Sequence, residues 1–414
     1  MSEVTDYTAL LAYMSSDSFR WNSLSDLGTR AVVTYSFTSA SELAPVSSDP
    51  YGAYRYWAFD SQQREYFRRA LDEFEEASGV IFVETSGPAM INVFGYDGGS
   101  AAGWADYPWA SSYSTNEGRL AIEGGNIMPG SFGYETVLHE IGHALGLKHP
   151  HDGDTTLADH LDTQANTVMT YSYAGYYVTE LGTFDVQALQ HIYGSSAGTA
   201  EWSVRVKSGG MVVIDTSAAA ETVLAVGQSS KVYGRGGSDT LIGREAGDKL
   251  IGGAGLDTLI GGYGEDRLFG GKGADVLIGG LDDDEYSGST GEADKLVGGG
   301  GWDTLSGGAG DDTLVGGNGR DRLIGGDGSD QLTGGRHADT FVFVSADYYE
   351  QEVITDFGVG GDKIEFSGTS VDSFSDLLIS QSGGSTFISY YGQYEIELTG
   401  FTGTLTQDDF LFFT

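Results

Sequence analysis

Residues 139–150 read HEIGHALGLKHP. His139 and His143 are four apart, so on a helix both imidazoles leave the same face. Glu140 stands beside them, within reach of a water that a metal on that face would hold. Gly146 ends the helix, since glycine takes the left-handed conformation without steric cost. The turn it makes brings His149 back as a third nitrogen ligand. Three neutral imidazoles leave zinc one open position for water, the pattern of a catalytic rather than a closed structural site. Zinc in that setting draws the pKa of water toward neutrality, and Glu140 is the base placed to take its proton. A bare HExxH arises by chance. Gly146, His149 and the run TVMTY at 167–171 make the pattern far more specific.

A second chemistry-bearing pattern fills residues 231–344. Asp239, Asp248, Asp257, Asp266, Asp275 and Asp284 are nine apart; after one extra residue Asp294, Asp303, Asp312, Asp321, Asp330 and Asp339 resume the step, giving twelve expected units. GGAGLDTLI (252–260) and GGNGRDRLI (316–324) show the type: a glycine-rich turn, an aspartate, and a large apolar residue two positions on. Leu241, Leu250, Leu259, Leu268, Leu277, Leu296, Leu305, Leu314, Leu323 and Leu332 fill that last position, with Tyr286 and Phe341 as variants. One unit cannot bury its Leu, but stacked copies can, which predicts a solenoid. Carboxylates and turn carbonyls are hard oxygen donors, and calcium takes six to eight of them in flexible geometry. The candidate calcium ligands are Gly236, Asp239, Asp248, Gly253, Gly255, Asp257, Gly262, Gly264, Asp266, Gly271, Gly273 and Asp275. After the break they are Asp303, Gly308, Gly310, Asp312, Gly317, Gly319, Asp321, Gly326, Gly328 and Asp330. Three units depart from the pattern: GREAGDKLI (243–251), LDDDEYSGS (281–289) and GGRHADTFV (334–342). Packed aspartates repel without a cation, so folding of this segment is expected to be coupled to calcium.

The 414 residues hold 60 acids against 21 Lys and Arg, a net charge of −39, and no cysteine. That balance argues against nucleic acid, which needs a basic patch, and against an anionic membrane surface. Without cysteine there is no disulfide framework, zinc thiolate or thiol nucleophile. Glu3 and Asp6 stand where a secretory signal carries bases, and no run of about 18 apolar residues spans a membrane.

His139, Glu140, His143, Gly146 and His149 resemble the metzincin metalloprotease motif, and Pro150 matches its serralysin variant. The resemblance implies that Met169 is the structural methionine of the Met-turn beneath the zinc. It implies that Tyr171 ligates zinc and swings away to stabilise the tetrahedral intermediate. Gly103, Trp104 and Ala105, in GWADYP, resemble the rim strand that pairs with substrate backbone, and GTFDVQALQHIYG (182–194) resembles the helix ending the catalytic domain. The nonapeptide resembles the RTX repeat, whose parallel β-roll carries calcium between successive loops. Together these imply a secreted, extracellular bacterial zinc endopeptidase of broad specificity acting on extended polypeptides, with one catalytic Zn²⁺ and several structural Ca²⁺. They imply a monomer that leaves by an ABC-type exporter reading a C-terminal signal, for which Asp409, Phe410, Leu411, Phe412 and Phe413 are candidates. A small proteinaceous inhibitor is a further implied partner, with no nucleic acid or membrane. A short N-terminal extension is implied too, at residues 1 to about 15. Two other readings compete: an RTX surface or adhesion protein with a degenerate protease domain, and a metzincin acting on a non-protein amide.

The elements that must hold these groups are also legible. Asp60 caps a predicted helix to Ala77, with Gln63 at the capping-box position and Phe67, Leu71, Phe74 and Ala77 on one face. AVVTYSF (31–37), VIFVE (80–84) and MINVFGY (90–96) read as strands. The expected fold class is an α+β metzincin protease domain, then an all-β parallel β-roll, then a β-rich C-terminal cap. The expected divisions are 1–195 for the protease, 196–230 for a connecting β segment, 231–344 for the roll and 345–414 for the cap. VITDF, KIEFS and YEIEL supply strands to the cap.

Overall fold

The computed structural model describes residues 2–11, 20–21, 27–39, 51–87, 89–108, 118–196, 202–226, 229–280, 292–344, 351–390 and 394–413. The chain divides into two compact units, residues 1–210 with 226–228, and residues 211–225 with 229–414. Among the described residues no helix is long and apolar enough to cross a membrane.

The first unit is α+β. Its strands are β1 (Ser2–Val4), β2 (Ala31–Phe37), β3 (Arg55–Trp57), β4 (Val80–Glu84), β5 (Ile91–Asp97), β6 (Gly103–Ala105), β7 (Gly118–Glu123) and β8 (Thr155–Leu157). The main sheet runs β4-β2-β5-β7-β6, with β3 also paired to β5. β2, β4, β5 and β7 are parallel, and β6 lies antiparallel to β7 at the edge. Helix α1 (Ser61–Ala77) starts at the predicted capping box: Gln63 N–H donates to Asp60 Oδ1 at 2.8 Å and Asp60 N–H to Gln63 Oε1 at 2.9 Å. Its buried stripe is Phe67, Ala70, Leu71, Phe74 and Ala77. Helices α2 (Phe132–Ala144) and α3 (Thr183–Tyr193) complete the unit, α2 packing on β6, β7 and α1.

The second unit is the parallel β-roll with its β cap. Strand partners are offset by 18 residues, so two nonapeptides make one turn. One sheet stacks Val223, Leu241, Leu259, Leu277, Leu305, Leu323, Phe341 and Ile364 in register. The other stacks Ile214, Val232, Leu250, Leu268, Leu296, Leu314, Leu332 and Ile354. All of them are at most 1% exposed, and each such side chain contributes roughly 1.5–3 kcal/mol by leaving water. At Gly273, φ is +131° and an added Cβ would lie 1.5 Å from the Gly255 carbonyl oxygen, so only glycine fits that turn.

One expectation about the repeat, its even register, needs correction. Leu268 pairs with Leu296 and Leu277 with Leu305, in each case 28 residues apart instead of 18. The register between these strands therefore shifts by ten residues relative to the even step expected of twelve units. Asp284 and Tyr286 lie outside the described residues. The strand stacking runs on past residue 344: Asp339 N–H donates to Asp362 Oδ1 at 3.0 Å, and Ile364 stacks on Phe341. The C-terminal FLFF is a strand parallel to Lys363–Ser367, with Phe410 buried.

The aspartates point inward into the turns. From Asp257 on, Oδ1 accepts the backbone N–H of the aspartate one turn earlier, as from Asp239 to Asp257 and from Asp303 to Asp321, at 2.9 Å; Asp239 and Asp248 accept instead from Glu221 and Ser230. Oδ2 of Asp239, Asp257, Asp275, Asp303, Asp321 and Asp339 is buried without a hydrogen-bond partner. Neighbouring turns stand about 4.8 Å apart, so these are close rows of unneutralised oxygens. Burial pushes the carboxyls of Asp239, Asp303 and Asp339 up to about 7. Orphaned anionic oxygens beside turn carbonyls suit calcium. Removing calcium at neutral pH is expected to melt the roll, read as loss of far-UV circular dichroism that returns on adding calcium. An unchanged spectrum in chelator would contradict the coupling.

Candidate metal centre

α2 begins at Ser131, whose Oγ accepts the Tyr134 N–H at 3.2 Å. The helix is buried from Thr136 to Ala144, and His139 and His143 stand one turn apart on the face turned to a cleft. The helix ends at Leu145 and Gly146 follows with φ +94°, the reversal that carries His149 back over the two histidines. His149 Nε2 lies 3.2 Å from His139 Nε2 and 3.1 Å from His143 Nε2. Nitrogens about 2.05 Å from one tetrahedral zinc stand about 3.3 Å apart, so the spacing fits that ion.

The other ring nitrogens decide the chemistry. His139 Nδ1 meets the Val168 carbonyl at 2.8 Å, His143 Nδ1 the Leu147 carbonyl at 2.8 Å, and His149 Nδ1 the Asp152 carboxylate at 2.6 Å. All three partners are acceptors, so each Nδ1 carries the proton. Burial lowers His139 to about 4 and moves His143 well down, keeping both rings neutral. Each Nε2 then offers only a lone pair; those of His139 and His143 both face His149 Nε2, which also accepts from the Tyr171 hydroxyl at 2.7 Å, and a cation resolves the arrangement. The residues present therefore fit zinc.

Glu140 is 5% exposed, its Oε2 has no partner, and burial pushes its carboxyl up to about 8. Tyr171 Oη sits 2.7 Å from His149 Nε2 on a largely exposed ring. Met169 is fully buried under α2; a Cβ on Gly142 would lie 2.5 Å from its Sδ. The cleft above the histidines has a volume of about 850 Å³ and is edged by Gly103, Trp104 and Ala105 of β6. A neighbouring cavity of about 500 Å³ lies between Glu140, Glu135, Phe132, Tyr173 and Tyr177. Gly103 packs so closely on α2 that a Cβ would meet Thr136 Cγ2 at 2.6 Å and Glu140 Cγ at 2.8 Å.

Several working residues escaped the sequence reading. Asp152, in the polar run HDGD after the third histidine, orients His149. Asp185 is fully buried at the start of α3, where it accepts from Thr167 Oγ1 (2.6 Å), Val168 N–H (2.8 Å) and Gly182 N–H (2.8 Å). It fixes the turn bearing Met169 and the carbonyl that orients His139. Its only sequence signal is its place in TFD at a helix start. The zinc, catalytic and rim residues named from sequence all meet in this one site; the calcium candidates lie in the other unit.

Residues 54–150 match the metallo-peptidase family M12B, reprolysin-like. The RTX calcium-binding nonapeptide repeat matches in four copies, at 233–262, 260–293, 289–314 and 315–343. The chain is similar to a serralysin of Proteus mirabilis, 27% identical over 235 residues, covering 47% of this chain and 46% of that protein. It is similar to serralysin C of Dickeya chrysanthemi, 29% identical over 220 residues, covering 45% and 44%. Among solved structures, the extracellular lipase LipA of Serratia marcescens aligns at 18% identity and a TM-score of 0.24, over 50% of this chain and 42% of that one. The chain thus spans under half the length of the curated relatives named. It carries a reprolysin-like metallopeptidase segment with a histidine triad for zinc, followed by RTX repeats for calcium.

Replacing Asp152 by alanine frees the His149 ring. Zinc affinity is expected to fall about 10- to 100-fold, measured by competition with a chromophoric chelator. An unaltered affinity would remove Asp152 from the site.

Proposed function

We propose that this chain is a secreted zinc endopeptidase that cleaves extended polypeptides with broad specificity. The observation that carries the reading is the convergence of three imidazole Nε2 atoms beside the unpartnered Oε2 of Glu140, on a cleft edged by a strand. His139, His143 and His149, with Tyr171 as a further ligand at rest, would hold a zinc ion, which when bound would supply Lewis acidity and an acidified water. Substrate lies along β6, adding a strand beside Gly103, Trp104 and Ala105. Glu140 takes the proton of the attacking water and returns it to the leaving amine. The Tyr171 hydroxyl donates to the oxyanion as it forms. Met169 is a structural floor.

The aspartate rows and turn glycines hold several calcium ions. In a calcium-poor cytosol they repel and the roll stays loose, which suits passage through an ABC-type exporter; millimolar calcium outside orders it. The protein acts as a monomer, and a small inhibitor protein is a fitting partner for the open cleft.

The test is casein hydrolysis by calcium-loaded protein. Wild type is expected to cleave, 1,10-phenanthroline to abolish cleavage, and Glu140→Ala to lower it about 10²- to 10⁴-fold. Full activity in Glu140→Ala would overturn the mechanism. No cleavage by wild type would favour a non-enzymatic RTX protein.

A further inference from the structure

The loop from Leu147 to Leu157 carries His149 and Asp152, and it is held from three directions. At its start, Leu147 bridges antiparallel to Leu11, and Lys148 N–H donates to the Leu10 carbonyl at 2.9 Å. At its end, β8 pairs parallel with β1, placing Ser2 beside Thr155, Glu3 beside Thr156 and Val4 beside Leu157. The Ala158 N–H then reaches the Val4 carbonyl at 3.0 Å. The segment supplying both braces is itself anchored, with Ala9 and Leu10 fully buried and the Tyr7 ring tilted against His191 of α3 at 5.6 Å between centroids.

Across the middle runs Lys148, a cation only 8% exposed. Its ammonium donates to the carbonyls of His149 (3.4 Å), Asp152 and Thr155 (2.9 Å). An ammonium has three donors and no acceptor, so three carbonyls from separate points of one loop match its full capacity. Nothing in the proposed chemistry uses this lysine. Burying a cation is costly unless its hydrogen bonds are all met, and here they are met only if the loop keeps its present course. That course sets the Asp152 carboxylate against His149 Nδ1.

We propose that Lys148 and the N-terminal segment Ser2–Leu11 form a clamp that positions the third zinc ligand. Lys148 acts as a positioning residue through Asp152 and His149. The clamp rests on the zinc reading of the triad but not on peptidase activity, since its effect is on metal binding. It also gives residues 2–11 a lasting place in the folded unit, unlike the removable extension implied by resemblance.

The test measures the zinc dissociation constant and the visible spectrum of the cobalt-substituted protein for wild type, Lys148→Met, Lys148→Arg and a deletion of residues 2–4. Lys148→Met is expected to weaken zinc tenfold or more and to change the cobalt band as the third imidazole loosens. Lys148→Arg keeps the charge but presents a planar fork that does not converge on three carbonyls, so it is expected to behave like Lys148→Met. The deletion, which spares every side chain of the cleft, is expected to shift affinity and spectrum in the same direction and carries the test should Lys148→Met not fold. Wild-type affinity and spectrum in the lysine variants and the deletion would overturn the clamp. Full recovery in Lys148→Arg would also overturn it, by showing that charge alone matters. Absence of casein cleavage by the wild type, with the zinc and cobalt shifts of the variants present, would overturn the peptidase reading and leave the clamp standing.

Discussion

Three imidazole nitrogens that cannot donate to one another face into the same small volume. This is the constraint on which the first unit depends. Each ring is turned that way because its other nitrogen is committed to an acceptor: the Val168 carbonyl, the Leu147 carbonyl and the Asp152 carboxylate. The acceptors in turn are fixed by what lies behind them. Asp185 ties down the Val168 turn from α3, the end of α2 presents Leu147, and the braced loop presents Asp152. A neutral site with three converging lone pairs is unfavourable on its own and favourable around a cation.

The second unit repeats the theme with oxygen in place of nitrogen. Its aspartates use one carboxylate oxygen to join successive turns, and several, among them Asp257, Asp303 and Asp321, leave the other buried without a donor. The Leu and Phe stacks fold the strands, but they also force these oxygens into rows. Nitrogen suits zinc in one unit and hard oxygen suits calcium in the other. The net charge of −39 therefore has two parts. The carboxylates of the roll await a cation, and the rest give a soluble exterior.

Much of this was legible from residue spacing. A period of four placed His139 and His143 on one helical face, a period of nine gave the roll, and the Asp60–Gln63 pair gave the start of α1. What stayed hidden depends on contacts between distant residues. Asp152 in HDGD and Lys148 in GLKHP look like ordinary polar loop residues until the chain closes around them. Gly103 and Gly142 are glycine because Glu140 and Met169 press against them, which no local pattern shows. The run Gly360, Gly361, Asp362 and Ile364 carried a weak repeat signal that the irregular segment before it obscured. The register jump at Leu268 and Leu277 was hidden because a single added residue mimics a small slip in a nine-residue period. Arg244 and His337 take the positive φ expected of the glycines they replace, at +98° and +81°, so these departures in sequence did not break the turns.

The most direct measurement of the central claim is metal content after exhaustive dialysis, for wild type and for the His139→Ala, His143→Ala and His149→Ala variants. The account predicts one tightly held zinc per wild-type chain and its loss in each variant. Wild-type protein that retains no zinc, or variants that retain it in full, would contradict it.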